Sequence, residues 1–286
     1  MSENVMIVGA GAMGSGIAQV CAQAGCQVTL CDVEQASLDK ALAGMQKSLT
    51  KLHSKGRIEE SAEVVSGRVT TKLANQGSLP EAPDATLAIE AVFEDVELKR
   101  NVLAKLEAAV SETCLIATNT SGIPIGKLAA ALSRPDRFVG MHFFNPAVLM
   151  RMVEVVRGSA TSDETFSKAL EVVIALGKDP LPVKLDLPGF VLNRIAMVAS
   201  NEAIRLVEMG AVEAADLDRG VKGAFGWKLG PLETADLVGL DVLLSARGQI
   251  YEHTKDERFK PPDLIKKKVA AGELGRKTGK GFYEYK

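Results

Sequence analysis

The sequence predicts an α/β protein in two parts: a mostly parallel sheet with flanking helices over residues 1–186, then an all-α domain over 187–286. Three observations carry that prediction. The chain opens with a short apolar run that meets a glycine-rich turn and then a helical pattern. Apolar runs of strand length go on alternating with helical patterns over most of the first 180 residues, which is the signature of βαβ units. The stretch Pro180-Leu-Pro-Val-Lys-Leu-Asp-Leu-Pro-Gly189 then punctuates the chain, and helical spacing dominates beyond it.

Val5, Met6, Ile7 and Val8 form the first strand, which ends at a G-x-G-x-x-G made of Gly9, Ala10, Gly11, Ala12, Met13 and Gly14. Ile17, Ala18, Cys21 and Ala22 share one face of the helix that follows, and Gly25 is placed to end it. In such a turn Gly9 makes the tight bend, Gly11 lets backbone N–H groups approach a pyrophosphate, and Gly14 lets the helix pack on the strand. Residues 27–31 form the second strand, with Asp32 at its end, 21 residues past Gly11. A carboxylate there accepts from a ribose 2′-hydroxyl, and Val33-Glu34-Gln35 offers no cation for a 2′-phosphate. A strand before the motif, a helix after it and an acid at this distance read as a Rossmann-type unit that binds NAD, not NADP.

Residues 36–52 carry Leu38, Leu42, Met45, Leu49 and Leu52 at helical spacing, with Lys47, Lys51 and Lys55 along and just past the end. Such lysines form a solvated face or grip an anionic ligand, and spacing alone leaves both open. A short strand is expected within 67–73 and a buried one within 84–92. Glu94 then precedes a helix over 96–110 that contains Lys99. A strand over 114–118 releases Asn119-Thr-Ser121 at its carboxyl end. A short helix over 125–131 and strands over 137–144 and 152–156 follow, and a helix over 163–176 closes the first domain. Functional groups of a parallel sheet gather at strand carboxyl ends, where Ser121, His142 and Asn145 fall. In the second domain helices are expected over 190–209, 214–222, 234–253 and from 261 to near Gly272, with strand-like alternation only at 281–285. The 190–209 helix is apolar on most faces, and a domain of this size has little interior to bury it in, so a homodimer through this domain is expected.

Net charge is −2 and the pI about 6.0, with no strongly basic region, which argues against generic nucleic-acid binding. No apolar run approaches the roughly 20 residues of a membrane helix, so no membrane association is expected, and no signal peptide is apparent. Cys21, Cys26, Cys31 and Cys114 lack metal-ligand spacing and read as reduced core thiols of a cytoplasmic protein. His53, His142 and His253 lie far apart, and no metal motif is present.

His142 ends an apolar strand and Glu154 lies on the next. A histidine held by a carboxylate is a general base with a fixed tautomer, and an alcohol oxidised by NAD needs one because its hydroxyl proton must leave as the hydride goes. On spacing alone a core histidine and an unrelated acid remain the simpler reading. Ser121 and Asn193 can each donate to a substrate oxygen, though a turn residue and a helix cap would account for them equally simply.

Six motifs occur in a fixed order: Gly9-Ala-Gly-Ala-Met-Gly-Ser-Gly-Ile-Ala18, Asn119-Thr-Ser121, Met141-His-Phe-Phe-Asn-Pro146 with Val153-Glu-Val155, Pro188-Gly-Phe-Val-Leu-Asn-Arg194, Gly230-Pro-Leu-Glu233 and Gly275-Arg-Lys-Thr-Gly-Lys-Gly-Phe-Tyr283. Together they resemble the L-3-hydroxyacyl-CoA dehydrogenase family, nearest its bacterial 3-hydroxybutyryl-CoA members, over almost the whole chain. The resemblance implies a Rossmann-type domain followed by a helical domain that dimerises, and reversible NAD-dependent oxidation of an (S)-3-hydroxyacyl-CoA thioester to the 3-oxoacyl-CoA. It implies that His142 is the catalytic base, Glu154 its partner, Ser121 the serine near the substrate oxygen and nicotinamide, and Asn193 the asparagine supplied by the second domain. It further implies that Glu94, Lys99, Asn145 and Lys277 contact NAD, and that Lys51 and Lys55 hold coenzyme A. Two departures stand out. Gly122 replaces the family's usual second serine, and Ala224-Phe-Gly-Trp-Lys-Leu229 replaces a proline-containing stretch, which bears on the acyl pocket.

Overall fold

The structure, a computed structural model, describes residues 3–75 and 78–285. The chain divides into two compact units, one ending at Leu187 and the other beginning at Pro188. In the first, β1 (Asn4–Val8), β2 (Gln27–Asp32), β3 (Val69–Leu73), β4 (Leu87–Glu90), β5 (Leu115–Thr118), β6 (Phe138–Phe143), β7 (Met152–Val156) and β8 (Asp179–Val183) form one sheet. Their order is β3-β2-β1-β4-β5-β6-β7-β8. The first six strands run parallel, β7 pairs antiparallel with β6, and β8 runs parallel to β7. Every residue of β4, β5 and β6 is buried. Burial on both faces is why these strands read as continuous apolar runs and not as alternation.

The helices of this unit are α1 (Ala12–Gln23), α2 (Gln35–Ser54), α3 (Ala62–Ser66), α4 (Val96–Ala109), α5 (Ile125–Ala129) and α6 (Asp163–Ala175). Ile17, Ala18 and Cys21 of α1, Leu38, Met45 and Leu49 of α2, and Ala169 and Val173 of α6 share one core with Val5, Ile7, Leu30, Met141 and Val155 of the sheet. Caps set several helix starts: Ser61, Asp95 and Ser162 each accept a backbone N–H of the first turn. The four thiols are free and buried, and burial pushes those of Cys31 and Cys114 up to about 11.

The second unit contains α7 (Leu192–Glu208), α8 (Ala214–Phe225), α9 (Pro231–Val238), α10 (Leu240–Thr254) and α11 (Asp263–Ala270). Two buried aspartates fasten it. Asp218 accepts the N–H groups of Leu232 (3.0 Å) and Glu233 (2.7 Å) at the start of α9, and the Tyr283 hydroxyl (2.7 Å). Asp236 accepts the N–H groups of Phe282 and Tyr283, both at 2.9 Å. A Cβ at Gly230 would lie 2.1 Å from Asp218 Cγ, and one at Gly281 would lie 2.1 Å from Asp236 Oδ1. The Gly230-Pro-Leu-Glu and Gly281-Phe-Tyr motifs are therefore anchors of the fold.

The structure departs from the sequence expectations in five places. The short helix α3 precedes β3, where none was expected. The start of the proline-rich stretch is a strand, β8, at the sheet edge. Its Asp179 N–H donates to Arg151 and its Val183 carbonyl accepts from Arg157, so the alternate residues Pro180 and Pro182 turn their nitrogens away from β7 and no ladder bond is lost. The expected 234–253 helix is two, α9 and α10, because Gly239 at φ 105 redirects the chain between them. Residues 281–285 make only an isolated bridge through Glu284, not a strand. Finally, α7 is amphipathic and not apolar all round: it buries Met197, Ala203 and Ile204 with Ser200 and Asn201, and leaves Ile195 exposed.

Candidate active site

The site begins at the glycine turn. Gly9 stands at φ 106, and a Cβ there would lie 2.6 Å from the Ala91 carbonyl oxygen. A Cβ on Gly14 would lie 1.8 Å from the Gly9 carbonyl oxygen, so the first turn of α1 rests directly on the bend. A Cβ on Gly11 would meet nothing within 4 Å. Open space therefore faces the start of α1, where no side chain caps the helix and no acid lies in the first turn. This is the arrangement an anionic pyrophosphate requires. Asp32 Oδ2 accepts the Ala10 N–H at 2.7 Å and Oδ1 accepts the Glu34 N–H at 3.0 Å. The acid at the end of β2 thus holds the turn, and the residues present fit a dinucleotide.

Next along the sheet, Glu94 gathers the segment leaving β5. Its Oε1 accepts from Thr120 Oγ1 (2.6 Å), Ser121 N (2.9 Å) and Ser121 Oγ (3.2 Å). The Ser121 hydroxyl hydrogen is thus directed at Glu94, a partner the sequence did not suggest. Lys99 is 1% exposed and donates to Glu90 Oε1 (2.8 Å) and the Val92 carbonyl (3.2 Å). Its ammonium is turned inward and lies 3.4 Å from Oε2 of Glu94. Asn119 Oδ1 accepts the Phe143 N–H at 2.9 Å and ties this segment to the end of β6.

On β6 and β7, antiparallel pairing sets His142 directly opposite Glu154. His142 Nδ1 lies 2.7 Å from Glu154 Oε2, with the histidine 6% exposed and the glutamate fully buried. The Phe144 ring centroid lies 4.5 Å from the imidazole. Asn145 is exposed in the following loop and precedes a cis proline. Lys178, missed in the sequence, braces that loop by donating to the carbonyls of Ala147 (2.6 Å) and Met150 (2.8 Å). Lys51 in the last turn of α2 and Lys55 at its C-cap are exposed, and neither has an ion-pair partner among the described residues. Asn193 and Lys277 lie in the helical unit. Asn193 is in the first turn of α7, and Lys277 donates to Asp241 Oδ2 at 2.7 Å. Among the described residues no cluster of three His, Cys, Asp or Glu could hold a metal ion, and no helix is long and apolar enough to cross a membrane.

Comparison with known proteins bears on this geometry. The NAD-binding domain model of 3-hydroxyacyl-CoA dehydrogenase matches residues 4–186, and the C-terminal domain model of the same enzyme matches residues 189–285. The chain belongs to the 3-hydroxyacyl-CoA dehydrogenase family. A relative from Deinococcus radiodurans is 43% identical over 281 residues, spanning 98% of this chain and 99% of its own. The 3-hydroxybutyryl-CoA dehydrogenase of Bradyrhizobium diazoefficiens is 39% identical over 284 residues, 99% of this chain and 96% of its own. The crystal structure of (S)-3-hydroxybutyryl-CoA dehydrogenase PaaH1 from Ralstonia eutropha superposes with a TM-score of 0.92, at 39% identity and with complete coverage of both chains. Members of this family are NAD-dependent oxidoreductases, and this chain carries the family's NAD-binding domain. Replacing Asp32 by Ala removes a charged acceptor and frees the Ala10 N–H. This is expected to raise KM for NADH about tenfold or more and to narrow the preference over NADPH. Equal kcat/KM for the two cofactors in the unaltered enzyme would show that Asp32 does not select between them.

Proposed function

We propose that this protein reversibly oxidises a short-chain (S)-3-hydroxyacyl-CoA, 3-hydroxybutyryl-CoA foremost, to the 3-oxoacyl-CoA. NAD, when bound, supplies the hydride acceptor. His142 takes the proton of the 3-hydroxyl, and Glu154 fixes the imidazole through Nδ1 and offsets the positive charge it gains. Ser121 and Asn193 bind the substrate oxygen. Asn145, Glu94 and Lys277 position the cofactor. The observation that supports this reading most is the buried 2.7 Å His142–Glu154 contact at the carboxyl end of β6, in the same unit as the dinucleotide turn. The four unpaired thiols accord with a cytoplasmic location.

The test is NADH oxidation with acetoacetyl-CoA, longer 3-oxoacyl-CoAs and free acetoacetate. Turnover of acetoacetyl-CoA well above that of the free acid supports the reading; equal turnover refutes it. Exposed Lys51 and Lys55 suit the phosphates of coenzyme A as point charges. The Lys51→Ala/Lys55→Ala variant is expected to raise KM for acetoacetyl-CoA roughly tenfold, less at high salt, and to act normally on the N-acetylcysteamine thioester. An equal loss on both substrates would place these lysines in folding or catalysis.

We also propose a homodimer through the helical unit, where Ile195, Phe225, Trp227, Leu237, Val238 and Val242 are exposed apolar side chains. Light scattering at micromolar concentration is expected to give twice the chain mass, and a monomer there would overturn the proposal.

A further inference from the structure

β4 is a continuous apolar run that ends in a charge. Glu90 is 0% exposed, and an ionised carboxylate in such a place persists only when fully partnered. Its Oε1 accepts from Lys99 Nζ (2.8 Å) and the Val92 N–H (2.7 Å), and its Oε2 accepts from Thr118 Oγ1 (2.6 Å), the residue directly opposite on β5. Lys99 in turn lies 3.4 Å from Oε2 of Glu94, whose side chain is 37% exposed and whose Oε1 receives Thr120 and Ser121. A second path closes the ring, because the Thr120 N–H donates to Thr118 Oγ1 at 3.3 Å. Two carboxylates therefore share one buried ammonium, and the loop that carries Ser121 hangs from the outer one.

We propose that Glu90 is a positioning residue for Ser121. By holding Lys99 at the sheet end, it keeps the ammonium on one oxygen of Glu94 and leaves the other oxygen to accept from the Ser121 backbone and hydroxyl. Without the Glu90 charge, Glu94 is the remaining ion-pair partner of Lys99 among the described residues. The ammonium then swings onto it, Glu94 is drawn inward, and the Ser121 N–H and hydroxyl lose the Glu94 oxygen to which they donate. The inference rests on the reading of Ser121 as a residue that touches the substrate oxygen.

The test is a double-mutant cycle on kcat for acetoacetyl-CoA reduction, using Glu90→Gln, Ser121→Ala and both together, with a melting temperature for each. Glu90→Gln is expected to lower kcat about tenfold in the native background and less than about twofold when Ser121 is already Ala, a coupling of the size seen for residues in one network. A merely structural Glu90 would lower the melting temperature and cost the same factor in both backgrounds, which would overturn the proposal, as would a kcat within twofold of the native enzyme. Should Glu90→Gln fail to fold, Glu90→Asp takes its place, because it keeps the buried site partnered while withdrawing the carboxylate one methylene from Lys99. The same cycle with Ser121→Ala then decides. If Ser121→Ala by itself leaves kcat unaltered, the reading of Ser121 fails, which is distinct from a large Ser121 effect that is additive with Glu90.

Discussion

His142→Ala is expected to lower kcat by about 10²–10⁴-fold while leaving NADH affinity within a few-fold of the native enzyme. Glu154 Oε2 sits 2.7 Å from Nδ1 of the imidazole, and the ladder between β6 and β7 fixes both backbones. Alanine removes the proton acceptor and touches nothing at the glycine turn, which is built from β1, α1 and Asp32. Glu154→Gln keeps the shape and removes the charge that steadies the imidazolium. Because hydrogen bonds to charged groups contribute about 1.5–3 kcal/mol, kcat should fall roughly 10- to 150-fold. Steady-state NADH oxidation and fluorescence titration of NADH check both variants. A kcat for His142→Ala within a few-fold of native would remove this residue from the mechanism.

The second large effect separates two glycines of one motif. Gly14→Ala puts a methyl group 1.8 Å from the Gly9 carbonyl oxygen, a backbone atom that cannot swing aside. Overpacking of this kind costs typically 1–3 kcal/mol, and more where backbone must move. At about 2–4 °C per kcal/mol in a protein of this size, the melting temperature should fall by roughly 5–10 °C, and NADH binding should go with it. Gly11→Ala adds its methyl group to open space at an ordinary φ of −65, so the apo protein should melt as the native one does. NADH affinity should nonetheless fall at least about tenfold, because the cofactor needs that space. Scanning fluorimetry with and without NADH reads both. A destabilised Gly11→Ala protein that still bound NADH normally would reverse the roles given to the two glycines.

Much of this was legible in the sequence for physical reasons. Glycines at a strand–helix bend have few alternatives, and strands buried on both faces announce themselves as unbroken apolar runs. The helical unit was less legible. The 3.6-residue period runs through Gly239 without faltering, and only the positive φ there breaks the helix. Pro180 and Pro182 read as breakers because the sequence does not say that β8 lies at an edge. His142 and Glu154 are twelve residues apart, and nothing in that spacing reveals that an antiparallel register sets them face to face. The Glu90 network was missed although a signal existed: a glutamate closing the apolar run Leu87-Ala-Ile-Glu90, with Lys99 one helix turn into the next element.

The proline pair on β8 has a consequence for the protein in a crowded solution. A sheet recruits foreign strands through the amide hydrogens along its rim, and this is how edge-to-edge aggregation begins. On β8 the positions that would offer those hydrogens outward are Pro180 and Pro182, which have none. The outward rim of β8 therefore lacks two of the donors that an added strand would use. The same two residues that look in the sequence like a gap between domains make this edge a poorer template for a ninth strand.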